Sequence, residues 1–258
     1  MKESNLISRR NFIKTITTAT AGVTALLSSG CSSIENNHLI KSENSIIEKG
    51  NTILFQGDSI TDSGRSRRTA ATANDANALG RGYVHLIASQ LLAEYPADGL
   101  KIFNRGISGN KVFELAARWD SDCIDLKPDV LSILIGVNDI WHTLEGRYNG
   151  TIEKYETDYR ALLERTLEAL PDVKLVICEP FVLRCGAVND TWFPEFNGYR
   201  ASAGKLAKEF NTLFVPFQTM FDKAIENTAP EYWAADGVHP TIAGAALMAK
   251  EWLKTVRI

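Results

Sequence analysis

Two short stretches at opposite ends of the chain carry residues suited to acyl transfer. In Ile53-Leu54-Phe55-Gln56-Gly57-Asp58-Ser59-Ile60-Thr61, an apolar run rich in β-formers stops at a glycine, and a serine follows two residues later. In Asp236-Gly237-Val238-His239-Pro240, an acid and a base stand three residues apart. A serine hydroxyl is a poor nucleophile until a neighbouring base takes its proton, and histidine titrates in the right range to do so. The base works best when a carboxylate fixes its tautomer and supports the imidazolium, the role open to Asp236. The negative oxygen formed by attack on an ester then needs preorganised donors. The Ser59 amide, the backbone N–H of Gly106 and the side chain of Asn138 are the candidates. Read singly, Ser59 is a helix cap after a turn, and Asp236 and His239 are a capping acid and a surface histidine.

Whether these residues meet depends on the elements between them. Strand-like runs at Thr52–Gln56, Leu100–Asn104, Val130–Ile135, Val173–Cys178 and Leu213–Val215 alternate with helical patterns. The helices are expected at Tyr83–Tyr95, Lys111–Leu126, Thr151–Leu170, Tyr199–Phe210, Phe217–Glu226 and Thr241–Val256, with Pro96 and Pro171 closing two of them. Val130–Ile135 is almost continuously apolar, as in a central parallel strand covered on both faces. The alternation predicts an α/β fold, a three-layer α/β/α sandwich around a mainly five-stranded parallel sheet. Gly57-Asp58-Ser59, Arg105-Gly106-Ile107-Ser108-Gly109-Asn110 and Gly136-Val137-Asn138-Asp139 each follow a strand. In a parallel sheet those turns share one edge, the edge where open α/β sheets bind ligands.

The whole chain sets further bounds. With 258 residues, 45% of them hydrophobic, it can bury one substantial core, and a net charge of −3 offers no basic field for nucleic acid. Ser8-Arg9-Arg10-Asn11-Phe12-Ile13-Lys14 and the weakly apolar segment after it predict an export signal over residues 1–30, of twin-arginine type. Leu26-Leu27-Ser28-Ser29-Gly30-Cys31 resembles a lipoprotein processing site, which makes Cys31 a lipid-attachment candidate and the protein an exported, membrane-anchored one. Plain secretion is the alternative. Residues 31–50 read as a polar tether, and 51–258 as one catalytic domain. Cys123, Cys178 and Cys185 have neither a disulfide nor a zinc spacing. Cys178 reads as a small buried apolar residue, and a Cys178–Cys185 bridge stays open.

Gly57-Asp58-Ser59-Ile60, Gly106, Gly136-Val137-Asn138-Asp139 and Asp236-Gly237-Val238-His239-Pro240 together resemble, in order, the four blocks of the SGNH (GDSL-type) hydrolase superfamily. Isoleucine replaces leucine after the first-block serine. The resemblance runs from about Thr52 to the end of the chain. It implies a flavodoxin-like sheet, Ser59 as nucleophile, Asp236 and His239 as its partners, Ser59, Gly106 and Asn138 as the oxyanion hole, and no metal or cofactor. The closer likeness is to bacterial acetylxylan esterases. It rests on Gly-Asp-Ser-Ile-Thr-Asp at 57–62, Leu79-Gly80-Arg81-Gly82-Tyr83-Val84, Asn104-Arg105-Gly106-Ile107-Ser108-Gly109-Asn110, Ala117-Arg118-Trp119 and Asn138-Asp139-Ile140-Trp141. That likeness implies an acetylated oligosaccharide as substrate and a closed homo-oligomer. A lysophospholipase or thioesterase on the same triad, and a non-catalytic glycan-binding lipoprotein, are the competing readings.

Around this set, Asp58, Trp141 and Trp233 are substrate-side candidates, Trp233 foremost among the aromatics because it stands three residues before Asp236. Asp58 also reads as support for the turn. His142, beside Trp141, is a candidate pocket-lining residue, while His85 falls inside an amphipathic helix. Arg65, Arg67 and Arg68 read as a solvated charge run.

Overall fold

A computed structural model describes residues 45–256. The export segment at 1–30 and Cys31 lie outside the described residues. In chain order the elements are β1 (Thr52–Gly57), α1 (Ser59–Asp62), α2 (Ala76–Leu79), α3 (Tyr83–Glu94), β2 (Lys101–Asn104), α4 (Val112–Ala117) and α5 (Trp119–Asp122). There follow β3 (Val130–Leu134), α6 (Val137–Leu144), α7 (Ile152–Ala169), β4 (Lys174–Cys178), α8 (Glu195–Glu209), β5 (Leu213–Val215), α9 (Phe217–Ala224), α10 (Pro230–Trp233) and α11 (Ile242–Thr255). The five strands form one parallel sheet in the order β2-β1-β3-β4-β5. This is the flavodoxin-like arrangement expected from the sequence.

Helices cover both faces, which is why β3 is buried along its whole length. Side chains of β1 alternate between the two layers. Phe55 enters the layer of α3 and α11, its ring 5.1 Å from Trp252 and 6.0 Å from Tyr83. Gln56 enters the opposite layer, where its amide donates to Asp122 O at 2.8 Å. Each layer buries a tryptophan whose indole N–H is satisfied, Trp252 by Ser132 Oγ at 3.0 Å and Trp119 by Thr166 Oγ1 at 2.9 Å. From β1 the chain runs outward to β2, then returns past β1 to β3. Connections leaving β1 and β3 therefore diverge, and the carboxyl ends of these two strands are the point at which open α/β sheets form their ligand crevice.

The elements depart from expectation in three places. The helix expected over Lys111–Leu126 is broken at Arg118. Its guanidinium turns inward to Asn110 Oδ1, Gln56 Oε1, Arg105 O and Asp122 Oδ2, at 2.8–3.1 Å. That tertiary network outweighs the local preference to continue the helix. A helix, α6, begins where only a turn was expected. The end of the segment read as tether belongs to the folded body, since Ile47 is 1% exposed in the core and Gly50 N–H donates to Asp98 O. No helix among the described residues is long and apolar enough to cross a membrane.

Candidate active site

The crevice is built on the turn after β1. A Cβ on Gly57 would lie 2.4 Å from both Leu134 O and Thr61 Oγ1, so only glycine lets β1, β3 and α1 meet this closely. Asp58 caps the short helix that follows, accepting the Ile60 N–H at 3.0 Å. Asp58 is 1% exposed, which corrects its expected place on the substrate side. Its position beneath the turn leaves Ser59 as the head of α1, where its N–H has no intrahelical acceptor.

The second stretch arrives from the loop between α10 and α11. Asp236 Oδ1 accepts the N–H groups of Val238 and His239 at 2.9 and 2.7 Å, winding the segment back on itself. Asp236 Oδ2 lies 2.6 Å from His239 Nδ1, and His239 Nε2 lies 2.8 Å from Ser59 Oγ. A carboxylate only accepts, so Nδ1 carries the proton and Nε2 is left bare to accept the Ser59 hydroxyl. Burial alone would raise the Asp236 carboxyl. The hydrogen bonds from the His239 ring and the two amides override it and hold the group below its usual range. The structure thus joins residues 180 apart in sequence into one relay able to draw a proton from Ser59.

Candidate donors for an oxyanion come from two further turns. The Gly106 N–H, one of those expected, is engaged by Asn104 Oδ1 at 2.9 Å. Asn104 is held rigidly for this contact, because its Nδ2 donates to Thr61 O and Leu79 O. Gly106 has a packing duty instead: a Cβ there would lie 2.4 Å from Asp62 N, so the loop could not close on α1. The free amide in this loop belongs to Gly109. It sits at φ +84° in the turn closed by Asn110 N–H to Ile107 O, a type II geometry, and its N–H has no acceptor among the described residues. Asn138, in the first turn of α6, lies beside it and donates from Nδ2 to Asn110 O at 3.2 Å, which leaves its second amide hydrogen free. Two glycines three residues apart look alike in sequence, and the Asn104 side chain that engages the first and the positive-φ turn that holds the second tell them apart.

The loop is braced from behind. Asp62 Oδ2 accepts both Ser108 N–H and Ser108 Oγ–H at 3.0 Å, and Arg65 Nε donates to Gly106 O at 2.7 Å. Arg65 is 9% exposed, so it leaves the solvated run to which it was assigned, while Arg67 and Arg68 remain exposed.

Two buried carboxyls flank the site. Asp58 and Asp139 each have an Oδ2 with no hydrogen-bond partner. Burial pushes both up to about 7, and the Asp58 charge adds to the rise at Asp139. A carboxyl whose pKa is higher folded than unfolded binds extra proton on folding, so it subtracts stability as pH climbs from about 4 to about 7. Denaturant titrations of wild type and Asp139→Asn should therefore diverge across that window, with the variant gaining relative stability as pH rises. Parallel curves would refute the assignment.

Trp141 stands at the rim, its ring 6.2 Å from His239 and 5.6 Å from Trp192. Trp233 makes no ring contact with His239 among the described residues. Its ring partner among the described residues is Tyr232, and its carbonyl holds the Thr241 N–H at 2.8 Å, a backbone role that locks the base of α11. Cys178 and Cys185 are free thiols, both buried. Cys185 Sγ–H donates to Ala234 O, and burial pushes the Cys178 thiol up to about 12.

Known proteins share this architecture. Residues 55–247 match the GDSL-like Lipase/Acylhydrolase family. An acetylxylan esterase from Geobacillus stearothermophilus is 37% identical over 199 residues, 76% of this chain and 90% of that protein. The crystal structure of a Parabacteroides merdae protein described as a GDSL-like lipase superposes with a TM-score of 0.79 at 53% identity, covering 81% of this chain and 97% of that one. That of Axe2, an acetylxylan esterase from Geobacillus stearothermophilus, gives 0.74 at 34% identity, covering 82% and 96%. Three further Axe2 structures are of catalytic mutants in which a serine, an aspartate or a histidine is replaced by alanine. In fold, in sequence and in the blocks that line its crevice, the chain belongs to the GDSL-like lipase/acylhydrolase family and is a carboxylic ester hydrolase.

Proposed function

We propose that the protein removes O-acetyl and other short acyl groups from xylan-derived or related plant-cell-wall oligosaccharides through a serine-bound acyl-enzyme. The observation that carries the mechanism is the hydrogen-bonded run Asp236–His239–Ser59, at 2.6 and 2.8 Å, opening beside the free Gly109 amide. His239 Nε2 takes the Ser59 proton as Oγ attacks the acyl carbon. The oxygen that gains charge is received by the N–H groups of Ser59 and Gly109 and by Asn138 Nδ2, donors that need no reorganisation. The imidazolium then protonates the departing sugar oxygen. Water, deprotonated by the same histidine, releases the carboxylic acid and restores Ser59.

The substrate reading is supported by the likeness to acetylxylan esterases and to Axe2, described as an acetyl-xylooligosaccharide esterase. The serine, aspartate and histidine of its catalytic mutants are the residue types joined here, and the aspartate and histidine are three positions apart in both chains. The half-buried Trp141 beside His239 offers a flat apolar surface where a sugar leaving group must stand. The test is mass spectrometry of deacetylation across acetylated oligosaccharides, paired with p-nitrophenyl esters of rising acyl length. Deacetylation of xylo-oligosaccharides and falling rates beyond acetyl are expected. Rates that climb with chain length would overturn this reading in favour of a lysophospholipase or thioesterase.

A further inference from the structure

His142 belongs to the crevice but not to the relay. It lies four residues beyond Asn138 on α6, so the two side chains project from the same side of the helix, with Trp141 next to them. Its ring rests against the oxyanion turn, with Cε1 4.0 Å from where a Cβ on Gly109 would sit. Behind it is Lys111, only 6% exposed, a burial that lysine tolerates only when paired. Lys111 Nζ lies 2.8 Å from Glu114 Oε2 and 3.1 Å from His142 Nδ1. It also sits 5.4 and 5.3 Å from the ring centroids of Phe113 and Tyr148, which stack on each other.

An ammonium has donors and no acceptor, so Nδ1 must accept from Lys111 and the ring proton must reside on Nε2. His142 Nε2 has no partner among the described residues and is not enclosed. Burial, then the charges of Lys111 and Arg147, hold the imidazole below its usual pKa against Glu145 and Glu114, so the ring stays neutral through the working range of an esterase. The outcome is a fixed N–H donor aimed out of the protein beside the oxyanion turn.

We propose that His142 is a specificity residue whose Nε2–H donates to a sugar oxygen of the ester's alcohol portion, with Lys111 as the positioning residue that sets its tautomer. The alcohol portion is favoured because the leaving oxygen must face His239, and Trp141, adjoining His142, lies against His239. A flat ring and a fixed donor side by side are what sugar recognition takes. This inference rests on the glycan reading given above.

The test measures kcat and KM on an acetylated xylo-oligosaccharide and on p-nitrophenyl acetate, which has no sugar. His142→Ala should raise KM for the oligosaccharide about tenfold, the worth of one neutral hydrogen bond, and leave p-nitrophenyl acetate within about twofold. His142→Gln, which still offers an N–H, should recover most of the loss. In Lys111→Met, 15N spectra should change from the single Nε2–H tautomer of wild type to a mixture, and KM for the oligosaccharide should rise. An unchanged KM in His142→Ala, or an equal rise on both substrates, overturns the proposal while the glycan reading stands. A wild type that cleaves p-nitrophenyl acetate and no acetylated sugar overturns both.

Discussion

Replacing Ser59 by alanine is expected to lower kcat on p-nitrophenyl acetate by a factor on the order of 10⁴–10⁶. The reason is that no second nucleophile stands in the relay. His239 Nε2 loses its only hydroxyl partner among the described residues, and what survives is the smaller catalysis supplied by the oxyanion donors and binding. The fold should be untouched, because the lost Oγ makes one side-chain contact and the cap on α1 comes from Asp58. Circular dichroism and thermal unfolding would confirm that. Activity within tenfold of wild type in a folded variant would refute Ser59 as the nucleophile.

Asp236→Asn is expected to lower kcat by about 10⁴, and for a different reason. The asparagine oxygen still accepts the Val238 and His239 amides, so the loop keeps its shape. Toward the ring, however, the carboxamide now presents an N–H. His239 Nδ1 must become the acceptor and Nε2 must carry the proton, so the histidine faces Ser59 with a donor and cannot act as a base. The sign that distinguishes this from simple damage is the other face of the ring: 15N spectra should show the proton moved from Nδ1 to Nε2 while the unfolding midpoint changes little. A variant with wild-type kcat would show that orientation of the imidazole does not depend on Asp236.

The frame of this protein was legible because its strands are short apolar runs in a regular alternation, and a parallel sheet leaves little freedom once that alternation holds. Ser59, Asn138, Asp236 and His239 were legible because their chemistry is uncommon in combination and each follows a strand or precedes the last helix. Val137, Ile140, Trp141 and Leu144 at the start of α6 carry a helical spacing, but Gly136 before them and the polar Asn138-Asp139 pair among them also suit a turn. The burial of Ile47 leaves no mark in the sequence, because two isoleucines in a polar segment carry no period.

Other features were beyond any local reading. That Arg118 breaks its helix depends on partners at 56, 105 and 110 that only the fold assembles. That Arg65 braces Gly106 depends on burial, which a run of arginines gives no reason to expect. That the Trp141 ring lies against His239 depends on where the fold places α6, which sequence distance from Asp236 does not reveal.

By itself, then, the sequence determined the fold class, the family and which side chains can do acyl chemistry, because strand pattern and residue type are properties of the chain. Tertiary structure alone decided which amide is left free beside Ser59 and Asn138. Gly106 and Gly109 carry the same N–H, and the choice between them rests on a side chain, Asn104, that reaches one and leaves the other free. Direction in space is set by packing, and packing has no signature in a single stretch of residues.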